Sequence, residues 1–139
     1  MGADVTLNFR NVDVVDEVMK ITNGRGADAS IEALGTQKTF EQALRVLKPG
    51  GTLSSLGVYS EDLTIPISAF AAGLGDHKIN TALCPGGKER MRRLLSVVES
   101  GRVDLGALVT HEYKLDNIVE AYDLFANQRD GVLKIAIKP

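Results

Sequence analysis

The chain has 139 residues, 44% of them hydrophobic and 24% charged, the proportions of one ordinary globular domain and not of a fibre or a disordered tail. Sixteen Lys and Arg against eighteen Asp and Glu leave a formal charge of −2, too little positive field to hold nucleic acid or an anionic membrane, so neither is expected as a partner. No apolar run approaches the roughly 20 residues of a spanning helix, Met1-Gly2-Ala3-Asp4 has no charged and apolar leader pattern, and the lone Cys84 excludes an intrachain disulfide; a cytoplasmic protein is the expectation.

In chain order, residues 5–9 form a β-prone run, and Asn11 is placed to cap a helix carrying Val12, Val15, Val18, Met19 and Thr22 at helical spacing, stopped by Asn23-Gly24. Residues 29–34 read as a second strand. Gly35-Thr36 then opens a helix with Phe40, Ala43, Leu44 and Leu47 on one face, ended by Lys48-Pro49-Gly50-Gly51. A third strand is expected over 52–58, a loop over 59–63, a short helix over 69–74 and a fourth strand over 79–83, after which Cys84-Pro85-Gly86-Gly87 turns the chain. The spacing of Met91, Leu94, Leu95 and Val98 predicts a helix over 88–100, stopped by Gly101. Residues 109–113 suit a short strand, Asp116 a helix cap before Ala121, Tyr122, Leu124 and Phe125, and residues 132–137 a last strand.

Strands alternating with helices through short glycine-containing turns argue for parallel pairing by right-handed crossovers, a doubly wound α/β architecture. Ligands of such sheets sit beyond the carboxyl ends of the strands, which points to Glu32-Ala33-Leu34-Gly35 and Leu56-Gly57-Val58-Tyr59. Glycine there has two readings at equal weight: it lets backbone lie close to a flat ring or a ribose, or it relieves crowding where a strand meets a turn.

The conspicuously reactive residues carry little. Cys84 lies in a Cys-Pro-Gly-Gly turn with no histidine near it in sequence and reads as a small buried thiol. His77 and His111 are far apart with no carboxylate at ligand spacing, so no zinc site is assembled from them, and Asp16-Glu17 and Glu61-Asp62 read as solvated faces. Gly73-Leu74-Gly75-Asp76-His77-Lys78 imitates a phosphate loop but has lysine where the third glycine belongs.

Taken together, residues 16–28, Lys48-Pro49-Gly50-Gly51, Leu83-Cys84-Pro85-Gly86-Gly87, Gly101-Arg102-Val103-Asp104-Leu105 to Val109-Thr110-His111, and Leu133-Lys134-Ile135 resemble, in order and over nearly the whole chain, the C-terminal part of medium-chain zinc-dependent alcohol dehydrogenases. The bacterial secondary-alcohol type is the nearest. The resemblance implies an incomplete doubly wound, Rossmann-like parallel sheet lacking the first two strands, with helices on both faces, in one partial coenzyme domain over 1–139 whose residues 109–139 are the family's C-terminal return segment. It also implies NAD or NADP as coenzyme, and zinc in the parent family only. The glycine-rich phosphate loop and the zinc-ligand domain that precede this part in the family have no counterpart here, so weak or absent coenzyme binding is expected and the isolated chain should be inactive or nearly so.

By the same resemblance Phe9 and Arg10 would lie on the adenosine side, Leu34 and Gly35 under the ribose, Gly57, Val58 and Tyr59 along the nicotinamide, and Lys134 near the coenzyme phosphates. Against each stands a plainer reading: Phe9 as a partly buried aromatic, Arg10 and Lys134 as solvated charges. Without the first two strands, residues 29–34 form an open sheet edge, and residues 79–83 form the other, so a homo-oligomer through these edges is expected. A non-catalytic oligomerising module or decayed gene product is the alternative function, and a methyltransferase fragment, suggested by the Pro-Gly-Gly turn, a weaker one.

Overall fold

The computed structural model describes residues 2–82 and 86–139; Cys84 and the end of the expected 79–83 strand lie outside them. The fold is α/β with parallel sheets, and the chain divides into two compact units, Met1–Pro85 and Gly86–Pro139.

In the first unit, helix α1 (Val14–Ile21), strand β1 (Ala27–Glu32), helix α2 (Gln37–Arg45), strand β2 (Leu47–Ser55), a 3-10 turn (Ala71–Gly73) and strand β3 (Lys78–Thr81) follow one another. The sheet order is β1-β2-β3, with both pairs parallel, as the alternation of elements requires. Phe40 and Leu44 of α2 bury their expected face on Leu53 of β2, which is fully buried, together with Leu47 and Ala69. The Tyr59 ring closes this cluster edge-on against Phe40, with ring centroids 6.0 Å apart.

Several expectations are corrected. Residues 5–9 form no strand. Asn8 turns the chain instead, its side chain accepting from Arg10 N (3.0 Å) and its carbonyl from Asn11 N (2.9 Å), and no neighbouring backbone among the described residues supplies the ladder a strand needs. The cap of α1 is Asp13 and not Asn11, because the Asp13 carboxylate accepts from both Val15 N and Asp16 N. Leu47 belongs to β2: Ala27 pairs with Leu47 but Ala29 pairs with Thr52, so Pro49-Gly50-Gly51 is looped out as a bulge inside the strand instead of forming a turn before it. The expected short helix over 69–74 is only the 3-10 turn, with Ala71 and Ala72 at positive φ.

Replacing Asp13 with alanine should therefore lower stability by about 1 kcal/mol, whereas Asn11→Ala should leave it unchanged. The urea midpoint followed by circular dichroism distinguishes the two caps.

The second unit holds helix α3 (Lys88–Glu99), strand β4 (Val109–Lys114), helix α4 (Ile118–Ala126) and strand β5 (Lys134–Lys138), with 3-10 turns before β4 and before α4. Strands β4 and β5 pair in parallel through α4. Asp116 falls in the 3-10 turn, and the residue at the α4 cap position, Asn117, makes no side-chain capping bond.

Candidate crevice at the strand ends

Strand β2 ends at Ser55, three residues before the expected boundary, so Gly57 and Val58 lie in its exit turn, beside the exit turn of β1. The two turns touch through their glycines. A Cβ added to Gly35 would fall 2.3 Å from the Val58 carbonyl oxygen, and one added to Gly57 would fall 2.3 Å from Gly35 N. Gly35 also has φ +89°, a conformation that L side chains rarely adopt. The crowding reading of these glycines thus has a concrete cause: each fills its Cβ space with the other turn's backbone.

Beneath the crossing lies Glu32, only 2% exposed. Its Oε1 accepts from Leu34 N (2.8 Å), Gly35 N (2.8 Å) and Thr39 Oγ1 (2.7 Å), and its Oε2 accepts from Tyr59 OH (2.6 Å). Tyr59 OH also meets Ser55 Oγ at 2.7 Å. Burial by itself pushes the Glu32 carboxyl up, but the hydrogen bonds from Tyr59, Gly35, Thr39 and Leu34 outweigh it and hold the carboxyl down at about 2. The Tyr59 hydroxyl is raised in turn, by burial first and then by the carboxylate it serves.

Above the crossing, Gly35, Thr36, Gln37, Tyr59, Glu61 and Asp62 border a crevice of about 200 Å³ at the carboxyl ends of β1 and β2. Gln37 fastens the far wall, its side-chain amide donating to Thr64 O (2.7 Å) and accepting from Thr64 N (2.9 Å). Leu34 and Val58 stand 70% and 81% exposed.

Of the residues singled out in the sequence, Leu34, Gly35, Gly57, Val58 and Tyr59 are brought together. Phe9 and Arg10 pair with each other, the guanidinium 5.9 Å from the ring centroid. Lys134 opens β5 in the second unit, where its carbonyl accepts from Thr110 Oγ1 (3.3 Å). Sequence reasoning missed Glu32 as the hub. The signal was an acidic residue inside the apolar run Ile31-Glu32-Ala33-Leu34, since carboxylates are almost never fully buried unless paired.

The segment imitating a phosphate loop does not fit that role: it runs through the 3-10 turn into β3 with no helix after it, and the direction a Gly75 Cβ would take is filled by the His77 ring at 2.6 Å. His111 has a carboxylate that its sequence surroundings did not show, Asp130 Oδ2 at 3.2 Å from Nε2, while its Nδ1 meets Thr110 Oγ1 at 2.9 Å. Among the described residues no three His, Cys, Asp or Glu side chains converge as metal ligands, and no helix is long and apolar enough to cross a membrane.

Residues 1–100 match the family model described as zinc-binding dehydrogenase. An alcohol dehydrogenase of Cupriavidus necator is 88% identical over 139 residues, all of this chain and 38% of that protein. An NADP-dependent isopropanol dehydrogenase of Clostridium beijerinckii is 39% identical over 98% of this chain and 40% of that protein. Among solved structures, alcohol dehydrogenase TADH from Thermus sp. ATN1 superposes with a TM-score of 0.81 at 26% identity, over 96% of this chain and 37% of that one. The chain therefore spans about two fifths of the length of the relatives it matches.

Proposed function

This chain belongs to the zinc-binding dehydrogenase family, and from that membership we propose that it is the nicotinamide-side part of the coenzyme domain of an NAD(P)-dependent alcohol dehydrogenase. The parent reaction in this reading moves a hydride between an alcohol carbon, polarised by zinc in the family, and the nicotinamide ring. The 39% identical relative named for NADP and isopropanol favours NADP and a small secondary alcohol as the pair. The observation that carries the proposal is the crossing of the two strand-exit turns at Gly35 and Gly57, which builds a crevice where open parallel sheets receive their ligands.

The residues present fit one side of the coenzyme and not the other. Exposed backbone and apolar groups at Leu34 and Val58 suit the face of a ribose and a flat ring. Gly73 to Lys78 supplies no cradle for the pyrophosphate, since it leads into a strand and not into a helix N-terminus. When bound, the coenzyme supplies the hydride acceptor; the role of this chain is to orient the ring and exclude water from one of its faces.

Calorimetric titration with NAD, NADP and S-adenosylmethionine tests the reading. Weak binding of NAD and NADP alike is expected, because most of the phosphate recognition, including that of the 2′-phosphate that separates the two, lies outside this crevice. Micromolar binding would mean a working site. A heat with S-adenosylmethionine alone would favour the methyltransferase reading, and no heat with any of the three would favour the non-catalytic module.

A second reading concerns assembly and has its own observation. Strand β1 is an edge of its sheet, with Ile31 70% exposed, and β3 is the opposite edge. An unpaired, partly apolar edge invites another strand. We propose a second copy of the chain as the occupant, with β1 and β3 as the joining edges. Light scattering after size exclusion should give a dimer or larger at micromolar concentration, and a stable monomer would defeat the idea.

A further inference from the structure

A spacer between two turns could be an apolar side chain, which would avoid the cost of burying a charge. The chain instead places a carboxylate there, and its four donors, two backbone amides and two side-chain hydroxyls, come from three separate segments: the β1 exit turn (Leu34 N and Gly35 N), the first turn of α2 (Thr39 Oγ1) and the β2 exit turn (Tyr59 OH). The main chain of the same residue adds two more ties, since Glu32 O accepts from Leu56 N (2.7 Å) and Gly57 N (3.3 Å). One residue thus holds both walls of the crevice by its side chain and by its backbone. The contact leaves almost no slack, because Oε2 lies where a Gly57 Cβ would come within 2.3 Å of it.

We propose that Glu32 is a positioning residue for the coenzyme: it touches the two exit turns and not the ligand, and it fixes them at the separation on which the nicotinamide ribose rests. This deepens, and rests on, the reading of the crevice as the nicotinamide side. A charged acceptor suits the task because hydrogen bonds to an ionised group are shorter and about twice as strong as neutral ones, so the turns are held more rigidly than a neutral side chain could hold them.

The test uses the full 15N-labelled chain, with amide hydrogen exchange and a titration with reduced nicotinamide mononucleotide as readouts. In the wild type the mononucleotide should shift the Gly57 and Val58 amides at millimolar concentration. In Glu32→Gln the Leu34 and Gly35 amides should exchange at least tenfold faster relative to Leu53 in the core, and the dissociation constant should rise at least fivefold. Tyr59→Phe removes a single donor and carries the test should the first variant fail to fold. Its exchange at Leu34 and Gly35 and its affinity should move the same way by a smaller factor. Faster exchange with unchanged affinity would make the role structural and overturn the proposal, as would unchanged exchange in both variants. A wild-type chain whose Gly57 and Val58 amides ignore the mononucleotide would instead overturn the crevice reading itself, so the two failures are distinguishable.

Discussion

Alanine at Gly35 is expected to lower the stability of the first unit by about 3 kcal/mol, of which about 1 comes from the positive φ and about 2 from the backbone that must move. The added methyl would arrive 2.3 Å from the Val58 carbonyl oxygen and 2.8 Å from its carbonyl carbon, atoms of a main chain tied down by its neighbours and not the free end of a flexible side chain. The turn would have to lift away from β2, breaking the Gly35 N bond to Glu32 as it went. Gly50 is the internal control: its φ is +75° but nothing lies within 4 Å of its Cβ direction, so Gly50→Ala should cost only the conformational part, about 1 kcal/mol. Urea unfolding followed by far-ultraviolet circular dichroism measures both. Equal midpoints for the two variants would mean that the crossing is not the constraint.

The second large effect is on acid stability. The folded-state value of Glu32, about 2, lies below the ordinary 4.5 of a glutamate, so the unfolded chain binds this proton more readily than the folded one. The stabilisation is therefore fully present above pH 4.5 and is lost as the pH falls through about 2. At 1.36 kcal/mol per unit the gap corresponds to about 3 kcal/mol. Glu32→Gln should be less stable than the wild type at neutral pH but should lack this part of the acid slope, so the two stability curves converge between pH 4.5 and 2. Exposed carboxylates such as Asp28, held low first by Lys48 and then by Arg25, remain in both proteins and cancel in the comparison. Parallel curves over that range would show that Glu32 is not ionised and clamped in the folded state.

Elements whose period repeats were legible in advance. Phe40, Ala43 and Leu44 sit where the spacing of α2 put them, against Leu53, and the apolar spacing of Met91, Leu94, Leu95 and Val98 located α3 to within a residue of its end. Residues 5–9 misled because β-propensity describes fitness for a pleated surface, and propensity without a partner strand makes no ladder. Asp13 was passed over for Asn11 because both are good caps, and only the geometry of the first turn selects between them. Leu47 misled for a related reason: its helical spacing from Phe40 and Leu44 is real, but its burial is achieved from a strand.

For the crevice, the two glycine turns were visible because parallel topology puts strand ends side by side. That they press on each other was not, since a glycine's reason lies in whatever occupies the space its side chain lacks. Glu32 and Tyr59 are far apart in sequence, and no local pattern announces a hydrogen bond between them.

Sequence alone therefore determined the α/β class, the parallel pairing, the core face of α2 and the family, because alternation, helical spacing and motif order are properties of the chain read locally. Tertiary structure alone decided which backbone meets which: the bulge in β2, the contact of Gly35 with Val58, and the conversion of a strand-end glutamate into an ionised clamp. The physical reason is that burial and hydrogen bonding are settled between segments distant in sequence, at separations of a few ångströms that composition and periodicity do not encode.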